Sequence, residues 1–283
     1  MVTETVRANR RLSLLDELPP CAGPKLRAFP NRRPKIQWLQ QLERSPESEL
    51  GSQGYVFRVL INSQTYVIKV FKFYKPSDAK HPLSPRRAKL VSDELAAFHV
   101  DPFYAECRAY GRIKKEEERR GLKSRVGANC FGFLYLRKKD ELKLIEMGVD
   151  LWDLPEEDEY RQQAEGSPIR AIVKEYIEDE TEFNQKNCEE MLKKLRRLNR
   201  WRIFHGDIRQ GNYKNGLLVD FGSAWTEPHC IMKNVSKDTA EKWKEADMTK
   251  FDEMLKGEGI HLSKDMRVLP NLKYRKMLRS WKH

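Results

Sequence analysis

No stretch of this 283-residue chain approaches the ~18 consecutive apolar residues that a membrane helix needs. The first twenty residues carry Arg7, Arg10 and Arg11 but no apolar run of the kind found in a signal peptide. A soluble chain with no membrane partner is therefore expected. Five cysteines (Cys21, Cys107, Cys130, Cys188, Cys230) form no C-x-x-C pair, and an odd number without a secretory signal predicts reduced thiols in an intracellular protein, nuclear or cytoplasmic. No internal repeat is visible. A concentrated basic stripe is also missing: Lys and Arg are scattered through 7–11, 25–35, 84–89, 112–125, 193–202 and 273–282, which disfavours nucleic acid as a partner. The formal net charge of +12 either attracts an acidic or phosphorylated partner at low salt or is plain solvated surface. Apolar content of 39% against 34% charged residues is enough to bury a core, and the length suits one large domain or two lobes.

Prolines at 19, 20, 24, 30 and 34 interrupt any periodic element, so residues 1–35 read as a Pro/Arg-rich extension laid on the surface or partly disordered. Arg32-Arg33-Pro34-Lys35 reads as a solvated turn rather than a nuclear signal. Ile36, Trp38, Leu39 and Leu42 fall near helical spacing and predict a short helix. Tyr55–Ile61 and Thr65–Phe73 are rich in Val, Ile, Phe and Tyr around Asn62-Ser63-Gln64 and predict a hairpin. Residues 75–100, with three prolines and many charges, read as a surface insertion. A helix is predicted over Pro102–Arg112, with Asp101 as cap. Strands are predicted at Phe131–Leu136, Leu142–Met147 and Ile169–Ile177, with an acidic loop over Trp152–Ser167. Met191, Leu192, Leu195 and Leu198 make one face of an amphipathic helix over Cys188–Trp201. A short hairpin with Asn215-Gly216 at its tip follows, then mostly helical or irregular chain.

The chemistry concentrates in His205-Gly206-Asp207-Ile208-Arg209-Gln210-Gly211-Asn212, followed by Asp220-Phe221-Gly222. An acid, an amide and a second acid at this spacing suit phosphoryl transfer: Asp207 to accept or orient the proton of an attacking hydroxyl, Asn212 and Asp220 to ligate magnesium, and Arg209 to neutralise the transferred group. Gly51 and Gly54, in Gly51-Ser52-Gln53-Gly54-Tyr55-Val56, could let backbone N–H groups reach phosphate oxygens, although two glycines before a strand also make an ordinary turn. Lys69, inside the next strand, is either the phosphate-pairing cation or a solvent-facing lysine. Glu106 is the candidate to hold Lys69, with Glu94 as rival. The link through Ile172–Tyr176, with Glu175 and Tyr176, would offer backbone groups to an adenine edge, with Val56 in the same pocket.

Together these motifs resemble the protein-kinase-like superfamily over Leu50–Thr226. Strings such as Val70-Phe71-Lys72-Phe73, the run Asp101–Arg112, Asp220-Phe221-Gly222-Ser223-Ala224 and Leu18-Pro19-Pro20-Cys21-Ala22-Gly23-Pro24 are more narrowly similar to a fungal family named after a kinetochore subunit of the Sim-four complex. The resemblance implies an α+β, protein-kinase-like two-lobed fold: an N-lobe with a small antiparallel β-sheet over 36–177, including insertions, and a reduced, mainly helical C-lobe over 178–283. It implies ATP and Mg²⁺ as cofactors, and kinetochore proteins as partners beside the nucleotide and a protein or small-molecule substrate. Gly206 stands where many regulated kinases carry an arginine that pairs with a phosphorylated loop, and no Ala-Pro-Glu follows Gly222. Activation-loop switching and a peptide platform are therefore not expected. Two readings stay open: an atypical ATP- and magnesium-dependent phosphotransferase, and a kinase-shaped interaction module without catalysis.

Overall fold

The computed structural model describes residues 18–19, 22–31, 33–42, 53–75, 79–122, 124–152, 154–178, 180–263, 266 and 268. Its larger sheet holds five antiparallel strands, β1 (Ile36–Gln41), β2 (Gly54–Ile61), β3 (Gln64–Phe71), β4 (Cys130–Tyr135) and β5 (Arg170–Glu175), in the order β1-β2-β3-β5-β4. The β2–β3 hairpin is closed by Asn62 and Ser63, at φ 51° and 62°, a left-handed pair that matches the twist of the flanking strands. Register then sets Lys69 opposite Val56 on one side and Ile172 on the other, in the middle of the sheet.

Helices follow in chain order: α1 (Pro85–Ala88), α2 (Asp93–Val100), α3 (Pro102–Arg120), α4 (Lys138–Glu146), α5 (Glu159–Ala164), α6 (Gln185–Arg200), α7 (Cys230–Asn234) and α8 (Lys237–Gly257). Helix α3 starts where predicted. Asp101 accepts a hydrogen bond from Phe103 N at 2.9 Å, Pro102 occupies the first turn, and Gly121, at φ 58°, ends the helix after Arg120. Beyond α6 lie the short strands β6 (Ile203–Phe204), β7 (Tyr213–Lys214), β8 (Leu217–Leu218) and β9 (Trp225–Thr226), pairing β6 with β9 and β7 with β8. The protein is thus the α+β, kinase-like two-lobed fold expected: a five-stranded lobe carrying α3, and a mainly helical lobe built on α6 and α8. One core runs from Phe103 and Tyr110 of α3 through Phe221 to Leu195 and Phe251, and a second fills the outer side of the sheet around Phe57, Val59 and Ile68.

Four local expectations are corrected. Residues 36–41 form β1 rather than a helix, because Ile36 and Trp38 alternate inward against β2, with Trp38 edge-on to Phe57 at 5.1 Å, while Leu39 stays 42% exposed. Residues 142–147 belong mostly to α4 rather than a strand: only Asp140 and Leu144 are buried along it, and Leu142 and Ile145 face solvent. The predicted loop 152–167 contains α5, capped by Asp158. The segment 75–100 is more than a surface insertion, since Ala79, Leu83, Val91 and Ala96 bury against Cys230 and Ile231 of α7 and tie the lobes together.

The described part of the N-terminal extension also departs from expectation. Leu26 and Phe29 are buried, Leu26 N donates to Cys107 O at 3.0 Å, and Phe29 N and Phe133 N are bonded to Phe133 O and Arg27 O. Residues 25–29 therefore strap α3 and β4. Gly111 and Gly132 permit it: a Cβ on Gly111 would lie 2.4 Å from Lys25 C, and one on Gly132 would lie 2.5 Å from Phe29 N.

Candidate active site

Lys69 and Glu106 meet in the sheet-to-helix gap. Lys69 Nζ donates to Glu106 Oε2 at 3.1 Å, with the two residues 2% and 0% exposed. The insertion between them absorbs the long sequence separation, and Glu94 lies exposed on α2, far from this role. Lys69 also ion-pairs with Asp220 across the lobes. Burial alone would disfavour the Lys69 ammonium, but the Asp220 and Glu106 carboxylates outweigh it and raise its pKa above the ordinary lysine value. Asp220 responds in mirror image: burial pushes its carboxyl up, Lys69 and then Lys174 pull it down, and the net pKa falls well below the usual carboxylate range.

Asp220 sits at φ 58° after β8, with Phe221 fully buried under α3. The Phe221 ring meets Tyr110 at 5.0 Å and His205 at 4.9 Å, both edge-on, which anchors the segment and leaves Asp220 facing the cleft. His205 Nε2 bonds Val219 O at 2.9 Å. Asn212 Nδ2 donates to Asp207 O at 2.7 Å and to Asp207 Oδ2 at 2.9 Å, so the amide holds the acid and its own Oδ1 is left as an acceptor. Arg209 Nε donates to Asp207 Oδ2 at 3.0 Å, and its side chain is mostly exposed.

Two functional residues escaped the sequence reading. Asp247 of α8, fully buried, accepts from His205 N and Gly206 N at 2.8 Å each and from Asn199 Nδ2 at 2.8 Å, fixing the backbone of the Asp207 loop. Lys174 of β5 donates to Glu106 Oε1 at 3.0 Å and is 5% exposed, so Glu106 bridges two lysines. A partner 42 or 68 residues away leaves no local signal. Gly206 gains a reason here: at φ 78°, a Cβ would lie 2.6 Å from Ser223 O, so no arginine fits.

A cavity of about 250 Å³ lies between the lobes, and its lining includes Val56, Val67, Ala128, Glu175, Tyr176 and Ile177 together with the charged Lys69, Lys174 and Asp220. Val56, Glu175 and Tyr176 thus line it as the sequence predicts. The Glu175 carboxylate is turned onto Arg125 and the backbone N of Asn129. Gly54 opens β2, where a Cβ would lie 2.1 Å from Val70 O; Gly51 lies outside the described residues. Gln53, between the two glycines, donates to Ser223 Oγ at 2.8 Å across the cleft.

A magnesium nucleotide fits these residues. Asn212 Oδ1 and Asp220 are hard oxygen donors, and two such groups with phosphate oxygens and water suffice for magnesium. Among the described residues no group of three or more His, Cys, Asp or Glu forms a metal site of its own. Among the same residues no helix is long and apolar enough to cross a membrane.

Comparison with solved structures finds similarity to the structure of vaccinia related kinase 3, at 12% identity and TM-score 0.44, covering 86% of this chain and 70% of that one. Among curated proteins no relative matches. The sequence pattern of the family described as kinetochore Sim4 complex subunit FTA2 matches residues 14–225, most of the chain, and the protein belongs to that family.

Proposed function

We propose that the protein is an atypical kinase-like phosphotransferase that uses magnesium and a nucleoside triphosphate, with ATP as the nucleotide the sequence predicts, to phosphorylate a hydroxyl of a protein or small molecule. The observation that carries this is the ion-pair chain Glu106–Lys69–Asp220 at the interlobe cavity, together with an Asp207 held by Asn212, whose backbone carbonyl accepts from Val219 N at 2.9 Å next to Asp220. Magnesium would be held by Asn212 and Asp220 and would supply charge neutralisation at the phosphates. Lys69, kept cationic by Glu106, would exchange its contact with Asp220 for a phosphate oxygen. Asp207, oriented through Oδ2 by Asn212, would take the proton of the attacking hydroxyl, and Arg209 would offset charge on the transferred group. Val56, Val67, Ala128 and Ile177 would offer the base an apolar surface.

Family membership favours a second reading. A kinetochore subunit works through protein partners in the nucleus, and the kinase shape would then serve assembly, with nucleotide as a structural ligand. One experiment separates the two: the full chain is given magnesium and γ-labelled nucleotide, and label is followed onto itself, generic proteins, small hydroxylated acceptors and water. The catalytic reading expects transfer that falls by about 10²-fold or more in Asp207→Asn. Nucleotide binding without transfer above that variant would leave the assembly role standing.

A further inference from the structure

Lys174 stands near the end of β5, immediately before the Glu175–Ile177 link, and lines the interlobe cavity together with Lys69. Its ammonium has three N–H donors, and Glu106 Oε1 at 3.0 Å is its one hydrogen-bond acceptor among the described residues. A cation only 5% exposed, with donors beyond its one protein acceptor, is an unusual wall beside Val56, Val67 and Ala128. The Glu106 carboxylate is already engaged at both oxygens, by Lys174 and by Lys69. The remaining donors of Lys174 are therefore available to whatever fills the cavity.

The nucleotide reading fixes what those acceptors would be. Phosphates would go to Lys69 and Asp220, and the base between Val56, Val67 and Ala128 with its hydrogen-bonding edge toward the Tyr176–Ile177 backbone, all of which line the cavity. Lys174 joins the two groups, its backbone leading into Glu175–Ile177 and its ammonium sharing Glu106 with Lys69, so it would face the flank of a purine that carries N7 and the 6-substituent. In guanine and hypoxanthine that flank offers two acceptors, N7 and O6; in adenine it offers N7 and a 6-amino donor. An ammonium has donors only, so it pairs with both atoms of a 6-oxopurine and opposes the amino group of adenine. We infer that Lys174 makes this a site for 6-oxopurine nucleotides, taking GTP ahead of ATP. The inference rests on the nucleotide-site reading above and names the nucleotide class that site selects.

The test is titration calorimetry on the full chain with magnesium and GTP, ITP or ATP, in wild type, Lys174→Met and Lys174→Arg. GTP and ITP are expected to bind about tenfold tighter than ATP in wild type. ITP has the 6-oxo group without the 2-amino group, so equal binding of ITP and GTP assigns the preference to O6. Lys174→Met should abolish the preference, and Lys174→Arg, which keeps donors at the same place, should retain most of it. Equal or tighter ATP binding in wild type overturns the inference, and needs no variant to fold. A GTP preference unchanged in a folded Lys174→Met protein overturns it as well. Binding of ATP that is lost in Asp220→Ala but shows no selectivity would remove this inference alone, whereas binding of no nucleotide at all would remove the nucleotide site with it.

Discussion

Replacing Asp247 by alanine should loosen the Asp207 loop from beneath, without touching the cleft. Asp247 is fully buried on α8, and its two oxygens take three hydrogen bonds, two from the backbone N–H groups of His205 and Gly206 and one from the Asn199 amide. Alanine leaves those donors buried without acceptors, at about 1–3 kcal/mol each. Relief of the desolvated carboxylate offsets part of this, and water entering the gap offsets more, so a net loss of about 3–5 kcal/mol is expected. That is a large share of the roughly 5–15 kcal/mol typical of a folded domain. Asp247→Asn keeps one acceptor oxygen and turns an amide N–H₂ toward a backbone N–H, so it should lose about half as much. Urea denaturation followed by tryptophan fluorescence measures both, with Trp201 in the adjoining core as a reporter. Asp247→Ala within about 0.5 kcal/mol of wild type would refute the claim that this carboxylate organises the loop.

The remaining predictions address the strap and the buried histidines. Gly111→Ala would raise helix propensity in isolation, by up to about 1 kcal/mol, but its Cβ meets the Lys25–Leu26 backbone; net destabilisation of roughly 1–3 kcal/mol is expected, with faster proteolysis at residues 22–31, and a stabilised variant would contradict the strap. His99 and His229 stack edge-on at 4.9 Å beside Arg108 and Lys233; burial first and then Arg108 push the His99 pKa down to about 4, while burial and the His99 charge lower that of His229. Both rings stay neutral in the fold where an unfolded histidine, at 6.5, takes a proton, so the unfolded state binds more protons as pH falls from 6.5 toward 4 and stability declines over that window. For His99 alone the loss is roughly 3 kcal/mol, complete below about pH 4, and His99→Gln should flatten the slope; an unchanged slope would count against it.

What the sequence disclosed follows physical range. The spacing from His205 to Asn212 and on to Asp220, the left-handed turn at Asn62-Ser63 and the capped start of α3 are written within a few residues, so local chemistry predicts them. The pairing of Lys69 with Glu106 was legible because both belong to strings whose order is informative. Lys174 and Asp247 were not, because a lysine in a strand and an aspartate in a charged helix acquire meaning only from Glu106 and the His205 backbone. Residues 36–41 misled through spacing alone: Ile36, Trp38 and Leu39 suit a helix or a strand, and β2 decides. The helix α4 misled in the opposite direction, since most of its apolar residues face solvent.

The central claim is that Lys69, Asn212 and Asp220 form a magnesium-nucleotide site. Calorimetric titration of magnesium-ATP and magnesium-GTP, each into the full chain and into Asp220→Ala, tests it most directly. The account predicts saturable binding of at least one nucleotide that requires magnesium and weakens by about tenfold or more in Asp220→Ala. Absence of binding by both nucleotides, or equal binding in the variant, would contradict it.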